Sequence, residues 1–249
     1  MDDEPGDAPG AGTPWGACSM SAMIVPLVPD EGWVVLHLFC KATPHSDGEV
    51  VSRAVKAAEE SGQQVVSFAV LGHKADLGFM LIGPDLVAAR RSQSALVQAG
   101  LELASSYLSL TEVSEYARGM PAERLEARLH PKLPPDGKRA ICFYPMSKRR
   151  DGTDNWYRLD YESRLALMHE HGASGRRFAG RVLQLITGST GLDDFEWGVT
   201  LFGASPDDLK ECVHKMRFDE ASARFADFGP FYSGIVAPVE EVLSLCGLS

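Results

Sequence analysis

The chain has 249 residues, with 24 Lys and Arg against 34 Asp and Glu, a formal charge of −10. Hydrophobic residues make up 45% and charged residues 23%, the balance of a soluble globular protein, which excludes collagen-like, disordered and disulfide-scaffold classes for most of the length. The acidic balance argues against a nucleic-acid binder, because neutralising phosphates needs a basic field. An acidic small molecule would need a local basic patch.

Residues 1–22 begin acidic and are rich in Gly and Pro. They lack the basic start and apolar stretch of a signal peptide, so a disordered tail is expected. Residues 23–118 then form a first half. Gly32–Lys41 is β-branched and aromatic and reads as a strand. Gly48–Ser61 carries apolar residues at helical spacing. Gln64–Leu71 and Gly78–Ile82 read as a strand pair, Pro84–Leu103 as a helix and Ser105–Ser114 as a strand. Residues 119–138 form a linker, and residues 139–249 repeat the plan. Arg139–Tyr144 is a strand, Tyr161–His169 a helix that Gly172 can end, and Arg181–Thr187 and Phe195–Phe202 are strands. Pro206–Arg217 is a helix and Phe231–Val236 the last strand. The fold class is α+β: two tandem βαββαβ units whose sheets can fuse into one barrel. No run of about 18 apolar residues exists, so no transmembrane helix is expected. The five cysteines (Cys18, Cys40, Cys142, Cys212 and Cys246) are odd in number and widely spaced. No zinc site or disulfide framework is readable, and free thiols fit a reducing cytosol.

No phosphate loop, dinucleotide fingerprint, GxSxG or HExxH is present. The candidates for chemistry are aromatic residues, histidines and a basic cluster. Lys148, Arg149 and Arg150 are adjacent in an acidic chain; they make either a solvated loop or an anion clamp for carboxylates. Tyr144 and Trp156 flank them as core aromatics or oxidisable ones. His169 and His171 are two apart, so on a helix they face different ways and cannot share a metal. His171, just before Gly172 at the expected helix end, is either structural or an axial haem ligand, which needs one imidazole nitrogen. Arg217, Ser222 and Arg224 lie near the aromatic stretch FADFGPFYSG, with surface ion pairs to Asp219 and Glu220 as the plainer alternative.

The runs YPMSKRR, NWY, TGSTGLDDFEWGVTLF and MRFDEASARFADFGPFYSG closely resemble the coproheme decarboxylase branch of the chlorite dismutase-like superfamily. The match is dense over residues 139–234 and thinner over 23–138. The resemblance implies a dimeric α+β barrel, assembled as a homopentamer, that acts last in coproporphyrin-dependent haem synthesis. Iron coproporphyrin III (coproheme) would be substrate and redox cofactor together. Hydrogen peroxide would drive two propionates to vinyls with loss of carbon dioxide, giving haem b. A coproporphyrin ferrochelatase would be a partner, and the location cytoplasmic, with no nucleic acid and no membrane. By the same resemblance His171 is the iron ligand, and Tyr144 the phenol that relays an oxidising equivalent to a propionate. Lys148 is a propionate-contacting base for the second decarboxylation, and Trp156 lies near a propionate. Arg217, Ser222 and Met146 are porphyrin-binding positions. Gln184 stands where true chlorite dismutases carry an arginine; a neutral amide cannot hold an anionic oxidant by charge, which disfavours chlorite chemistry. His130, in the linker, is the expected distal base for peroxide. Arg149, Arg150, Arg176, Arg177 and Arg181 add cations for a four-carboxylate substrate. The alternatives are a haem peroxidase or chlorite dismutase on the same barrel, and a non-catalytic haem carrier.

Overall fold

The computed structural model describes residues 24–117 and 119–248. The expected tail, residues 1–22, and Cys18 with it, lie outside the described residues.

The first half runs β1 (Val34–Lys41), α1 (Gly48–Glu60), β2 (Gln64–Val70), β3 (Leu77–Gly83), α2 (Leu86–Gln98) and β4 (Glu102–Thr111). The linker carries α3 (Ala122–Leu129). The second half has β5 (Ala140–Lys148), a small hairpin of β6 (Arg150–Asp151) and β7 (Asp154–Asn155), and one 3-10 turn at Trp156–Arg158. It continues with α4 (Tyr161–Arg176), β8 (Val182–Gly188), β9 (Trp197–Gly203), α5 (Pro206–Met216), α6 (Glu220–Ala223), β10 (Ala226–Phe228), β11 (Tyr232–Val236) and α7 (Val239–Leu245).

Within the first half the strand order is β2-β3-β1-β4, and within the second β11-β5-β9-β8. Each is the antiparallel order of a ferredoxin-like unit. β11 pairs with β2 and β4 with β8, so the two sheets close into one eight-stranded barrel, with β10 added beside the end of β5. Closure removes the sheet edges that would otherwise template aggregation. The interior is packed with Val35, Phe39, Phe68, Phe143, Phe202 and Leu185. Outside it, α1, α2 and α7 cover the first half, and α5 covers part of the second.

Polar side chains, Thr200 and Ser109 among them, also sit inside the barrel. His37 of β1 is fully buried, against the Phe143 ring at 4.2 Å between centroids. Its Nε2 lies 3.0 Å from Thr200 Oγ1, and its Nδ1 is buried without a hydrogen-bond partner among the described residues. Burial alone drives its pKa down to about 3.

Several boundaries differ from expectation. α2 stops at Gln98 rather than Leu103, because Gly100 takes a φ of 88° and its carbonyl accepts from Thr43 and Ser46. β4 accordingly starts three residues early. β5 runs on past Tyr144 to Lys148 although it contains Pro145. On that side β11 pairs only as far as Phe143 and β10 begins at Met146, so the missing proline N–H falls where no partner strand asks for it. Gly172 does not end α4, which continues to Arg176. Asp160 caps its start, accepting from the Ser163 N–H at 2.8 Å, and buried Phe178 anchors the chain just beyond it. Helix α7 falls in a segment for which no element was expected.

Candidate porphyrin site between the sheet and helix α4

Alternation along the strands decides which residues meet. In β5, Ile141 and Phe143 point into the barrel while Cys142 and Tyr144 point out towards α5. The ladders β5–β9 and β9–β8 then align the outward residues in rows. Cys142, Leu201 and Gln184 form one, Tyr144, Val199 and Ile186 the next, and Met146, Trp197 and Gly188 the third. Tyr144, Met146 and Gln184, proposed from sequence as site residues, therefore share one platform.

Tyr144 stacks on Phe231 at 4.4 Å and meets Phe228 edge-on at 5.6 Å. Burial is the main cause that raises its phenol well above the ordinary range, so it stays protonated. Arg217, at the end of α5, lies over the Phe228 ring at 5.0 Å. Gln184 donates from Nε2 to the Cys212 sulfur at 3.7 Å.

α4 lies across this platform. At its start the Tyr161 hydroxyl donates to the Glu115 carbonyl, and Arg164 to the Tyr116 hydroxyl. Near its end, a Cβ at Gly175 would stand 3.4 Å from Gln184 Nε2. No residue of this 16-residue helix is buried. Its main packing is on α5 and α6 rather than on strands. Ile186, at the β8 end of its row, is 44% exposed. Leu167 and Met168 of α4 pack against Trp156, Ala221 and Phe225, and the space between the helix and exposed Ile186 is the candidate slot.

His171 lies one turn before Gly175. Its Nδ1 sits 3.1 Å from Asp219 Oδ2 and 3.2 Å from Oδ1, with Ser222 Oγ at 3.4 Å. Asp219 is almost wholly buried. Burial pushes its carboxyl up, but the bonds from His171 and Ser222 outweigh this and hold it below the usual carboxylate value. A carboxylate that takes the Nδ1 proton leaves Nε2 as the free donor of an electron pair, the arrangement that orients a metal-binding imidazole. Ordinary sequence patterning suggested surface pairs for Asp219. The one available signal was its place as the cap of α6, where it accepts from the Ser222 N–H at 2.9 Å.

Lys148 ends β5, also almost buried. Its Nζ donates to the Ala221 carbonyl at 3.0 Å and lies 4.2 Å from the Trp156 ring centre. Burial draws its pKa down to about 8, against the upward pull of Asp219 and Glu196. Lys148, Trp156 and His171 thus gather around α6, which carries Ser222. Three of the other cations proposed for the site are already engaged. Arg149 pairs with Asp227 at 2.9 Å, and Arg181 with Asp208 and Glu211 at 2.6 Å. Arg150 lies over Tyr157. His169 is exposed. His130 is not joined to the cluster by any of these contacts. It pairs with Glu126 at 2.7 Å and meets the Trp33 ring at 4.9 Å, at the foot of β1.

An iron porphyrin suits this slot: an imidazole held by a carboxylate on one side, an apolar sheet face on the other, and Lys148 and Arg217 at the margins. Among the described residues no cluster of three or more His, Cys, Asp or Glu could hold a bare metal ion. The four described cysteines are free, and no described helix is long and apolar enough to cross a membrane.

Comparison with known proteins agrees. A coproheme decarboxylase of Thermus thermophilus is 38% identical over 240 residues, covering 88% of this chain and 95% of that protein. A coproheme decarboxylase of Staphylococcus carnosus is 37% identical over 239 residues, covering 85% and 94%. The solved structure of a heme-binding protein from Thermus thermophilus superposes with a TM-score of 0.77 at 36% identity, covering 90% of this chain and 99% of that one. The family profile described as chlorite dismutase matches residues 47–237, and the chain belongs to that family.

Proposed function

We propose that this protein is a coproheme decarboxylase that turns two propionates of iron coproporphyrin III into vinyls, giving haem b. The observation that carries the reading is the carboxylate-held His171 set beside a platform that carries Tyr144. With peroxide as the electron acceptor, each step balances as propionate, hydrogen peroxide and one proton going to vinyl, carbon dioxide and two waters. When bound, the iron porphyrin supplies the oxidising equivalent drawn from peroxide.

The protein's residues do the rest. His171 holds the iron through Nε2 while Asp219 keeps the ring in one orientation. Tyr144, whose phenol holds its proton through neutral pH, can give up an electron and a proton only together. That is what a C–H bond beta to a carboxylate demands, since it is not acidic enough for a base. Lys148 and Arg217 face the carboxylates; Lys148, with its pKa near 8, can also move a proton near neutrality. Gln184 offers no positive charge beside the iron, which argues against chlorite as substrate. We place the reaction in the cytosol, in a homopentamer supplied by a coproporphyrin ferrochelatase; the free thiols and the family resemblance support this.

The test is direct. Coproheme is added to the protein and peroxide titrated in. Mass spectrometry is expected to show loss of carbon dioxide and two hydrogens twice over; an unchanged porphyrin would overturn the reading. His171→Ala is expected to lose the Soret band of the ligated complex and to weaken coproheme binding at least ~10-fold, or about 1.4 kcal/mol. An unaltered spectrum would remove His171 from the iron. In Lys148→Ala the first decarboxylation is expected at near-normal rate and the second about 10-fold slower, so that a three-propionate species accumulates. Equal slowing of both steps would remove Lys148 from the second.

A further inference from the structure

One corner of the platform is not used by this reaction. Glu112 follows β4, and its carboxylate lies on β8 where Gly188 leaves room: a Cβ at Gly188 would collide with Glu112 Oε2. Trp197 Nε1 donates to Glu112 Oε1 at 3.1 Å. Gly188 and Trp197 belong to the Met146 row, so Glu112 occupies the place a side chain at 188 would have filled.

The charge there is unanswered. Glu196 accepts from the Lys148 N–H at 2.7 Å, and Asp219 is bonded to His171. Among the described residues no Lys, Arg or His lies within ion-pair distance of Glu112. Glu112 is solvent-exposed, so its carboxylate stands at the rim with no need of a cation for stability. On the wall of a site for a four-carboxylate ligand it acts by repulsion.

Resting on the slot as the coproheme site, we propose that Glu112 is a specificity-determining residue. Its carboxylate, pinned by Trp197 over Gly188, keeps propionates out of that corner and so fixes which pyrrole edges face Tyr144 and Lys148. Like charge placed against the wrong arrangement selects the right one.

The experiment compares the natural chain with Glu112→Gln, which keeps an acceptor for the Trp197 N–H and removes the charge. Glu240→Gln, the same charge change on exposed α7, is the control. Coproheme and haem b affinities are read by absorbance titration, and the three-propionate intermediate is separated chromatographically into its two regioisomers. Glu112→Gln is expected to bind coproheme about five-fold tighter, to bind haem b with a smaller gain, and to form both regioisomers where the natural chain forms one. Trp197→Phe, which keeps the charge but frees it, is expected to mix the regioisomers without the gain in affinity. Unchanged coproheme affinity in Glu112→Gln, an equal gain for both porphyrins, or a single regioisomer in either variant would overturn the proposal. A natural chain that releases no carbon dioxide from coproheme would instead overturn the decarboxylase reading itself.

Discussion

Tyr144→Phe is expected to bind coproheme as the natural chain does and to make haem b at least ~100-fold more slowly, about 2.7 kcal/mol on the barrier. The substitution removes one oxygen from a side chain buried against Phe228 and Phe231. The ring stack and the β5 ladder survive, so packing and affinity change little. What is lost is the O–H, the only part of this side chain able to pass on an electron and a proton together. Binding is checked by absorbance titration and turnover by chromatography after peroxide addition. Full turnover in this variant would remove the phenol from the reaction. Loss of binding would make Tyr144 a porphyrin contact instead.

The second large effect is on stability and lies far from the slot. His37 has a folded pKa near 3, against about 6.5 in an unfolded chain. Between those values the unfolded chain binds the extra proton, so stability falls as the pH falls. The contribution is fully present above 6.5 and is lost progressively down towards 3. At pH 4.5, two units below the ordinary histidine value, His37 alone is expected to remove about 3 kcal/mol. The structural cause is a ring sealed among aromatic side chains, with Nδ1 buried and, among the described residues, nothing to accept from it once protonated. His37→Phe keeps the stack on Phe143 and cannot titrate. Urea unfolding measured from pH 7 to 4.5 is expected to give a shallower pH dependence for the variant, whatever its absolute stability. Parallel curves would show that His37 gains a proton without unfolding the barrel.

Much of this was legible in the sequence, for reasons that can be named. The strands and helices of the first half follow period and punctuation, as in Gly48–Glu60, where Asp47 caps the start by accepting from Val50 N–H. The face of Gln184 was legible because Arg181–Thr187 alternates, and alternation fixes a face; Tyr144 came from the family resemblance, and Met146 lay beyond the expected strand. What was not legible depends on contacts distant in the chain. The length of β5 turns on where β10 and β11 meet around Pro145, which no local rule contains. α4 outlasts Gly172 because its ends are held by Asp160 and Phe178. The Asp219–His171 bond joins residues 48 apart, and a short acidic cap reads locally as surface. Glu112 was missed for the same reason: its meaning comes from a glycine in another strand. Arg149 and Arg181, candidate cations by sequence, are paired with Asp227 and with Asp208 and Glu211, partners that local patterning does not reveal.

The strict register of β5 against β9 and β8 has a consequence for how this gene can change. Tyr144 faces the slot and Phe143 the barrel only because an exact number of residues separates them from the start of the ladder. Deleting a single residue between the linker and Phe143 would keep the pairing attractive but rotate the strand's two sides. Pro145 would then stand where the phenol was, and the Tyr144 hydroxyl would be driven into the dry interior. Variation in chain length is thus tolerable in the hairpin and the linker but closed to this strand, and lineages of the enzyme should differ in size everywhere except there.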